Sequence, residues 1–294
     1  MTFARPDHIS DLDTLPRMPA WVTSARSETL EDVAFLSGAA LNHLHLVLGR
    51  EDVPHALMQD RLALRAAEAC VTFSGRPERA RELRDLLHLL RPGDLPGPAG
   101  EIYLSWRRAT ERPVSVSVLC RAVPTLEQSQ IATWLNAGQG APVSRAAMVL
   151  ETVLMGTPRA EALALILAEA SLAQSFGWKH LIPLLAPGLK RADLHKQGDD
   201  LRLACHRALI ASAVETARIA GDLTRRAEHV KAVAPKLRAK GAAKAVEMFL
   251  ARDAVAAAAL PLPSRAARRL CDRLVELGAV RELTGRDTFR LYGV

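Results

Sequence analysis

Ser264-Arg-Ala-Ala-Arg-Arg-Leu-Cys-Asp-Arg-Leu-Val-Glu-Leu-Gly-Ala-Val280, followed by Thr284-Gly-Arg-Asp-Thr-Phe-Arg-Leu-Tyr292, is where the apolar period of this 294-residue chain changes. Ala267, Leu270, Cys271, Leu274 and Leu277 recur at i, i+3, i+4 and i+7, one face of a helix over 265–277. Ser264 suits its N-cap and Gly278 suits the left-handed residue that ends it. Beyond Gly278 the period shortens to about two, so 279–284 and 288–292 read as strands around Gly285-Arg-Asp287. Phe289 and Leu291 face one way, Thr288 and Arg290 the other. Val280 and Leu283 fall on opposite faces, so the first strand needs a bulge or a twist. Upstream, 253–260 reads as a short alanine-rich helix and Pro261-Leu-Pro263 as a tight turn. Arg265, Arg268, Arg269 and Arg273 lie at or beyond the edges of the apolar stripe.

Charge follows the same boundary. The net charge is +7. Residues 225–294 hold 15 Lys and Arg against 7 Asp and Glu, a balance of +8, while 1–224 hold 24 against 25. Such asymmetry fits a nucleic-acid-binding module or a solvated basic face without a partner. Part of it is the run Lys236, Arg238, Lys240 and Lys244, which leads into a short helix over 245–251.

Helix, turn, helix and β-hairpin resembles the end of many bacterial winged-helix regulators. Their recognition helix closes on Leu-x-x-Leu-Gly, here Leu274 to Gly278, and their wing carries a glycine-arginine tip, here Gly285-Arg286. The resemblance spans 253–294. It implies Ser264 and Arg265 near phosphate or base edges, Arg268 and Arg269 along the groove-facing side, and Arg286 at the wing tip. Arg273, Arg290 and the basic run Lys236, Arg238, Lys240 and Lys244 complete the expected double-stranded DNA contacts, because a guanidinium fork matches guanine or phosphate with two hydrogen bonds. Winged helices also dock proteins, notably in chromosome-condensation subunits. Asp272, Glu276, Glu282 and Asp287 interleave the arginines and are able to pair with them. The whole chain also resembles an uncharacterised bacterial family, carried mainly in alphaproteobacteria and known only as a domain of unknown function. The carrying stretches are 30–41, Arg91-Pro-Gly-Asp-Leu-Pro-Gly-Pro-Ala-Gly100 and the run from Leu223.

The rest of the chain reads as helical. It is 49% hydrophobic and 24% charged, which excludes disorder, and alanine and leucine outweigh β-branched residues. Helices are expected over 28–48 (capped by Ser27, stopped by Gly49), 54–73, 77–90 (stopped by Pro92), 101–112, 115–123, 128–137, 144–154, 158–176 and 199–233. Arg65-Ala-Ala before Gly75-Arg-Pro77 and Arg145-Ala-Ala before Gly156-Thr-Pro158 form a loose echo of a duplicated hairpin. The expected organisation is an irregular lead-in over 1–26, an all-helical body over 27–235, a basic linker and short helix over 236–252, and a winged helix over 253–294. No run approaches the ~18–20 apolar residues of a membrane span, and 1–18 lacks an apolar signal core. Cys70, Cys120, Cys205 and Cys271 stand apart with no CxxC, which fits a reducing cytoplasm and argues against structural zinc.

No catalytic motif is present. The glycines of 91–100 precede no Gly-Lys-Ser/Thr, and no Gly-x-Ser-x-Gly or His-Glu-x-x-His occurs. His43 and His45, two apart on a helix, point in different directions, and His206 and His229 have no ligand at chelating spacing. Asp199-Asp200 and Glu31-Asp32 suit helix starts. Trp21, Trp106, Trp134 and Trp178 read as packing residues, including the Trp106-Arg-Arg108 that could otherwise stack on a base. The expectation is therefore a mainly α, non-enzymatic, cytoplasmic DNA-associated protein, a regulator or a DNA-maintenance accessory factor. No cofactor, metal or membrane is expected, and a protein partner or homodimer is compatible. The alternative is an adaptor whose winged helix grips a protein subunit. An active site built from distant residues would need a deep polar pocket with clustered titratable groups.

Overall fold

The computed structural model describes residues 17–24, 29–91, 93–237, 240–286 and 288–294. Of the lead-in expected over 1–26, residues 1–16 and 25–26 lie outside them, as do the cap Ser27, Pro92, Arg238 and Asp287, while Ala20–Ser24 form a helix where irregular chain was expected. The described residues are mainly helical, with one small antiparallel sheet near residue 294. In chain order the helices are α1 (Ala20–Ser24), α2 (Leu30–Leu48), α3 (His55–Phe73), α4 (Ala80–His88), α5 (Gly97–Glu111), α6 (Val116–Ala122), α7 (Gln128–Leu135), α8 (Pro142–Gly156), α9 (Glu161–Ser175), α10 (Leu185–Gly188), α11 (Gly198–Val233), α12 (Ala242–Ala251) and α13 (Ser264–Glu276). The strands are β1 (Val255–Ala256), β2 (Arg281–Glu282) and β3 (Leu291–Gly293).

Local chemistry sets the helix starts. α2 begins at Thr29, whose hydroxyl accepts the Asp32 N–H at 3.2 Å, so the helix starts two residues later than expected. α4 spans only Ala80–His88 because the Glu82 carboxylate turns back to accept the Arg79 N–H at 3.0 Å, which leaves Pro77 outside. Ser115 caps α6 through the Val118 N–H.

α11, 36 residues and roughly 54 Å long at 1.5 Å per residue, is the spine of the molecule. α2 lies along it, burying Val33, Leu36, Ala40, Leu41, Leu44 and Val47. Ser37 and His206 Nδ1 meet at 2.6 Å inside that interface. α8 packs on α9 and α3 on α5, where Trp106 is fully buried and donates its indole N–H to Cys70 Sγ. α10 approaches α11 so closely that a Cβ on Gly188 would lie 2.6 Å from Ser212 Oγ. Glu169 of α9 holds this region together from within. It is buried, and one carboxylate oxygen accepts the N–H groups of Leu184, Leu185 and Ala186. Burial pushes its carboxyl up to about 8 against the pull of those three donors.

The last fifty residues differ from their sequence reading at one place that matters. The segment 253–260 is not a helix: it holds β1 and a 3-10 turn over Ala257–Ala259. Tertiary pairing overrides the helix propensity of its alanines, because Val255 pairs with Tyr292 and Ala256 with Leu291. β3 also pairs with β2, Glu282 opposite Tyr292, so the sheet order is β1-β3-β2 and every pairing is antiparallel. The strands are shorter than expected. Phe289 takes a left-handed φ of 57° and is exposed while Leu291 is fully buried, so the anticipated alternation breaks there. Gly278, with φ 67°, ends α13 as read.

One apolar core cluster runs from α1 through Trp106 and Phe249 to Leu274 and Val294, so α12, α13 and the sheet share a core with the helical body. The polar anchor of that junction is Asp253, with no exposed surface. Its carboxylate accepts from Arg61 Nε of α3 and Arg84 Nε of α4, and its own N–H donates to Asp60 at 2.9 Å. Arg61 also donates to the Val294 carbonyl at 3.2 Å, and Asp60 accepts from Arg107 of α5 at 3.0 Å. Burial alone would raise the Asp253 pKa; the two guanidinium groups outweigh it and hold the carboxyl below the usual range. Gly293 must be glycine, since a Cβ would lie 2.4 Å from the Asp253 carbonyl. Among the described residues no helix is long and apolar enough to cross a membrane.

Two outcomes follow. Asp253→Asn strands two half-buried arginines and should cost roughly 3–5 kcal/mol in urea denaturation. Glu169 keeps its proton to about pH 8 when folded but loses it near 4.5 when unfolded. The folded state therefore binds more protons between those values, and this residue's contribution to stability falls as pH rises through that window. Glu169→Gln should flatten that part of a stability-versus-pH curve.

Candidate nucleic-acid interface

α13 follows directly on Pro261-Leu-Pro263. Pro263 is the residue before it, and Ser264 is its first helical residue and makes no capping bond, contrary to the expected N-cap. Ala267, Leu270, Cys271 and Leu274 face the core. Arg265, Arg268 and Arg269 stand on the opposite face, exposed, with no acidic partner among the described residues. Arg273 is also exposed but is paired with Glu276 at 2.9 Å, one turn below. Along the first turns, then, three cations surround the positive end of the helix, whose leading N–H groups have no intrahelical acceptor.

The structure brings the second basic run to this end. Gly241, at φ 97°, starts α12, and a Cβ there would lie 3.2 Å from both the Pro261 carbonyl and the Leu262 side chain. The backbone between Lys240 and Lys244 therefore borders the turn that launches α13. All three lysines are exposed. Arg238 lies outside the described residues.

The hairpin is arranged differently. Arg286 donates to Asp85 of α4 at 2.5 Å, and Arg81 of α4 donates to the Thr284 carbonyl. The loop between β2 and β3 is thus held on the helical body, with Arg286 bound to an almost fully buried carboxylate. Arg290 turns the other way. It donates to the Arg286 carbonyl at 3.1 Å, lies 3.7 Å from Glu282, and lines a cavity of about 340 Å³ with Arg268, Asp272, Phe289 and Tyr292. Of the expected contact residues, Ser264, Arg265, Arg268 and Arg269 share the first turns of α13 beside the lysine segment, Arg290 shares a cavity with Arg268, and Arg273 and Arg286 are paired with acids.

Two features escaped the sequence reading. A cleft of about 370 Å³ between α11 and the sheet is lined by Arg225, Arg226 and Arg281, which counted only toward net charge, and by His229, weighed only as a metal ligand. A cavity of about 600 Å³ in the helical body is lined by His45, His55 and His180 together with Glu111, Trp178 and Lys179. Each ring is fixed by a second contact: His45 accepts the Trp178 indole N–H at 2.9 Å, while His55 and His180 reach the carbonyls of Arg50 and Thr110. Burial holds the His180 imidazole below its usual pKa. Among the described residues no three His, Cys, Asp or Glu side chains form a group able to hold a metal ion. Of the residues singled out in the sequence, His45 and Trp178 line this cavity, while His43, two residues before His45, is buried.

The chain belongs to the family described as "Protein of unknown function (DUF1403)", whose model matches residues 6–294. No curated protein matches the chain.

If Asp85 and Arg81 hold the hairpin loop, Asp85→Asn should speed amide hydrogen exchange over 283–290 at least several-fold while exchange in α11 stays unchanged.

Proposed function

We propose that this is a non-enzymatic DNA-associated protein, a regulator or DNA-maintenance factor, that holds double-stranded DNA with the outer face of α13. The observation that carries this reading is the cluster of Arg265, Arg268 and Arg269, exposed on the first turns of α13, without acidic partners among the described residues and bordered by the lysine run. A helix presenting its N-terminal turns is suited to the major groove, where guanidinium forks meet guanine edges or flanking phosphates. The order α12, β1, α13, β2, β3 with β3 central supports a winged-helix reading of the last fifty residues, the 3-10 turn over Ala257–Ala259 standing where the sequence suggests a helix. Four free thiols, three of them buried, suit a reducing cytoplasm.

One observation favours a second reading, an adaptor that grips a protein subunit. The hairpin loop is engaged with α4 rather than presented to a groove, and Val275 and Phe289 are exposed apolar residues close to the basic face.

Fluorescence anisotropy of a labelled duplex across several salt concentrations separates the two. The Arg265/Arg268/Arg269→Ala variant should lose affinity, and its log K against log salt should become shallower by roughly 0.9 for each phosphate contact removed. Equal, weak binding by wild type and variant would remove the DNA reading in favour of the adaptor.

A further inference from the structure

The cleft between α11 and the sheet is strongly cationic. Arg225, Arg226 and His229 of α11 face Arg281 of β2 across about 370 Å³. Asp222 is the acidic side chain in its lining, already taken by Arg218 at 2.8 Å and by Arg225, and Val294, which also lines it, has its carbonyl held by Arg61. His229 is tied to the Leu277 carbonyl at 3.0 Å. Arg226 and Arg281 have no acid within ion-pair distance among the described residues. Arg281 also feels the charges of Arg226, Arg61 and Arg84, which Asp253 only partly offsets; partial desolvation first, and then these three guanidinium groups, pull its pKa down. Unpaired like charges turned toward one recess are unfavourable until an anion enters it. Two guanidinium groups facing one opening are suited to a tetrahedral anion with several acceptor oxygens.

We propose that this cleft is a phosphate-binding site and, resting on the DNA reading above, that it takes a backbone phosphate of the same duplex that α13 holds. The contact of His229 with Leu277 places the cleft at the far end of α13 from Ser264. The 13 residues of α13 span roughly 20 Å at 1.5 Å each. The major groove is about 12 Å wide. A helix seated in it by its first turns therefore carries its last turn past the groove, over the flanking backbone, where Arg226 and Arg281 wait. Inorganic phosphate offers the same oxygens to the same groups, so the two sources have to be separated by experiment.

The test uses the full chain as wild type, Arg226→Gln/Arg281→Gln, Arg226→Lys/Arg281→Lys and the α13 triple variant. Two probes are applied: a 20-base-pair duplex over a salt series, and inorganic phosphate in thermal unfolding at constant ionic strength. Both glutamine substitutions sit at exposed positions, and the melting temperature without phosphate reports whether the fold is kept. The expected result is a salt slope shallower by about 0.9 for the glutamine variant, recovered in the lysine variant, together with loss of the phosphate-dependent rise in melting temperature. If the phosphate effect is lost but duplex binding is untouched, the site takes free phosphate and its DNA assignment is overturned. If the glutamine variant weakens duplex binding while the triple variant does not, the cleft stands and the α13 reading falls. A glutamine variant that binds duplex and responds to phosphate like wild type overturns the proposal entirely.

Discussion

A fully buried carboxylate has to be surrounded by compensating charge and hydrogen bonds, and Asp253 meets that constraint by drawing three separate parts of the chain onto itself. Arg61 comes from α3 and Arg84 from α4, while Asp60 accepts the Asp253 N–H and is held in turn by Arg107 of α5. Because β1 begins two residues after Asp253 and pairs with β3, the same anchor fixes the sheet against the helical body. The sheet then fixes α13, and α13 fixes the direction in which its arginines point. The cationic face is therefore positioned through buried polar contacts in which its own arginines take no part.

Much of the helical body was legible because amphipathic periodicity and capping are local. α2, α3, α8, α9 and α11 lie within a few residues of where the apolar spacing puts them. What was not legible depends on distant partners. The segment 253–260 reads as a helix from its alanines, and nothing nearby in sequence reveals that Tyr292 and Leu291 claim Val255 and Ala256 as strand partners. A lone aspartate before an alanine run gives no hint of arginines found 169 and 192 residues away.

The candidate site divides along the same line. The exposed arginines of α13 could be read directly, because the apolar stripe that defines the buried face also defines its opposite. Their closeness to the lysine run could not, since it depends on Gly241 meeting the turn at Pro261 and Leu262. Arg286 shows the limit of reading by resemblance: a hairpin tip looks free in sequence, yet here Asp85 from α4 holds it. Arg226 and Arg281 looked like ordinary surface charge until the fold turned them toward the same recess.

The separation of Asp253 from its arginines also has a meaning in time. Arg84 precedes Asp253 by 169 residues. At ~5–20 residues per second, ribosomal synthesis leaves an interval of roughly ten to thirty seconds in which α3 and α4 have been made but their counter-charge has not. During that interval Arg61 and Arg84 lack the carboxylate that joins them in the finished chain, and Asp85 of α4 likewise lacks Arg286. The charges that join the sheet to the helical body are thus made long before their partners, so that junction closes among the last contacts of synthesis.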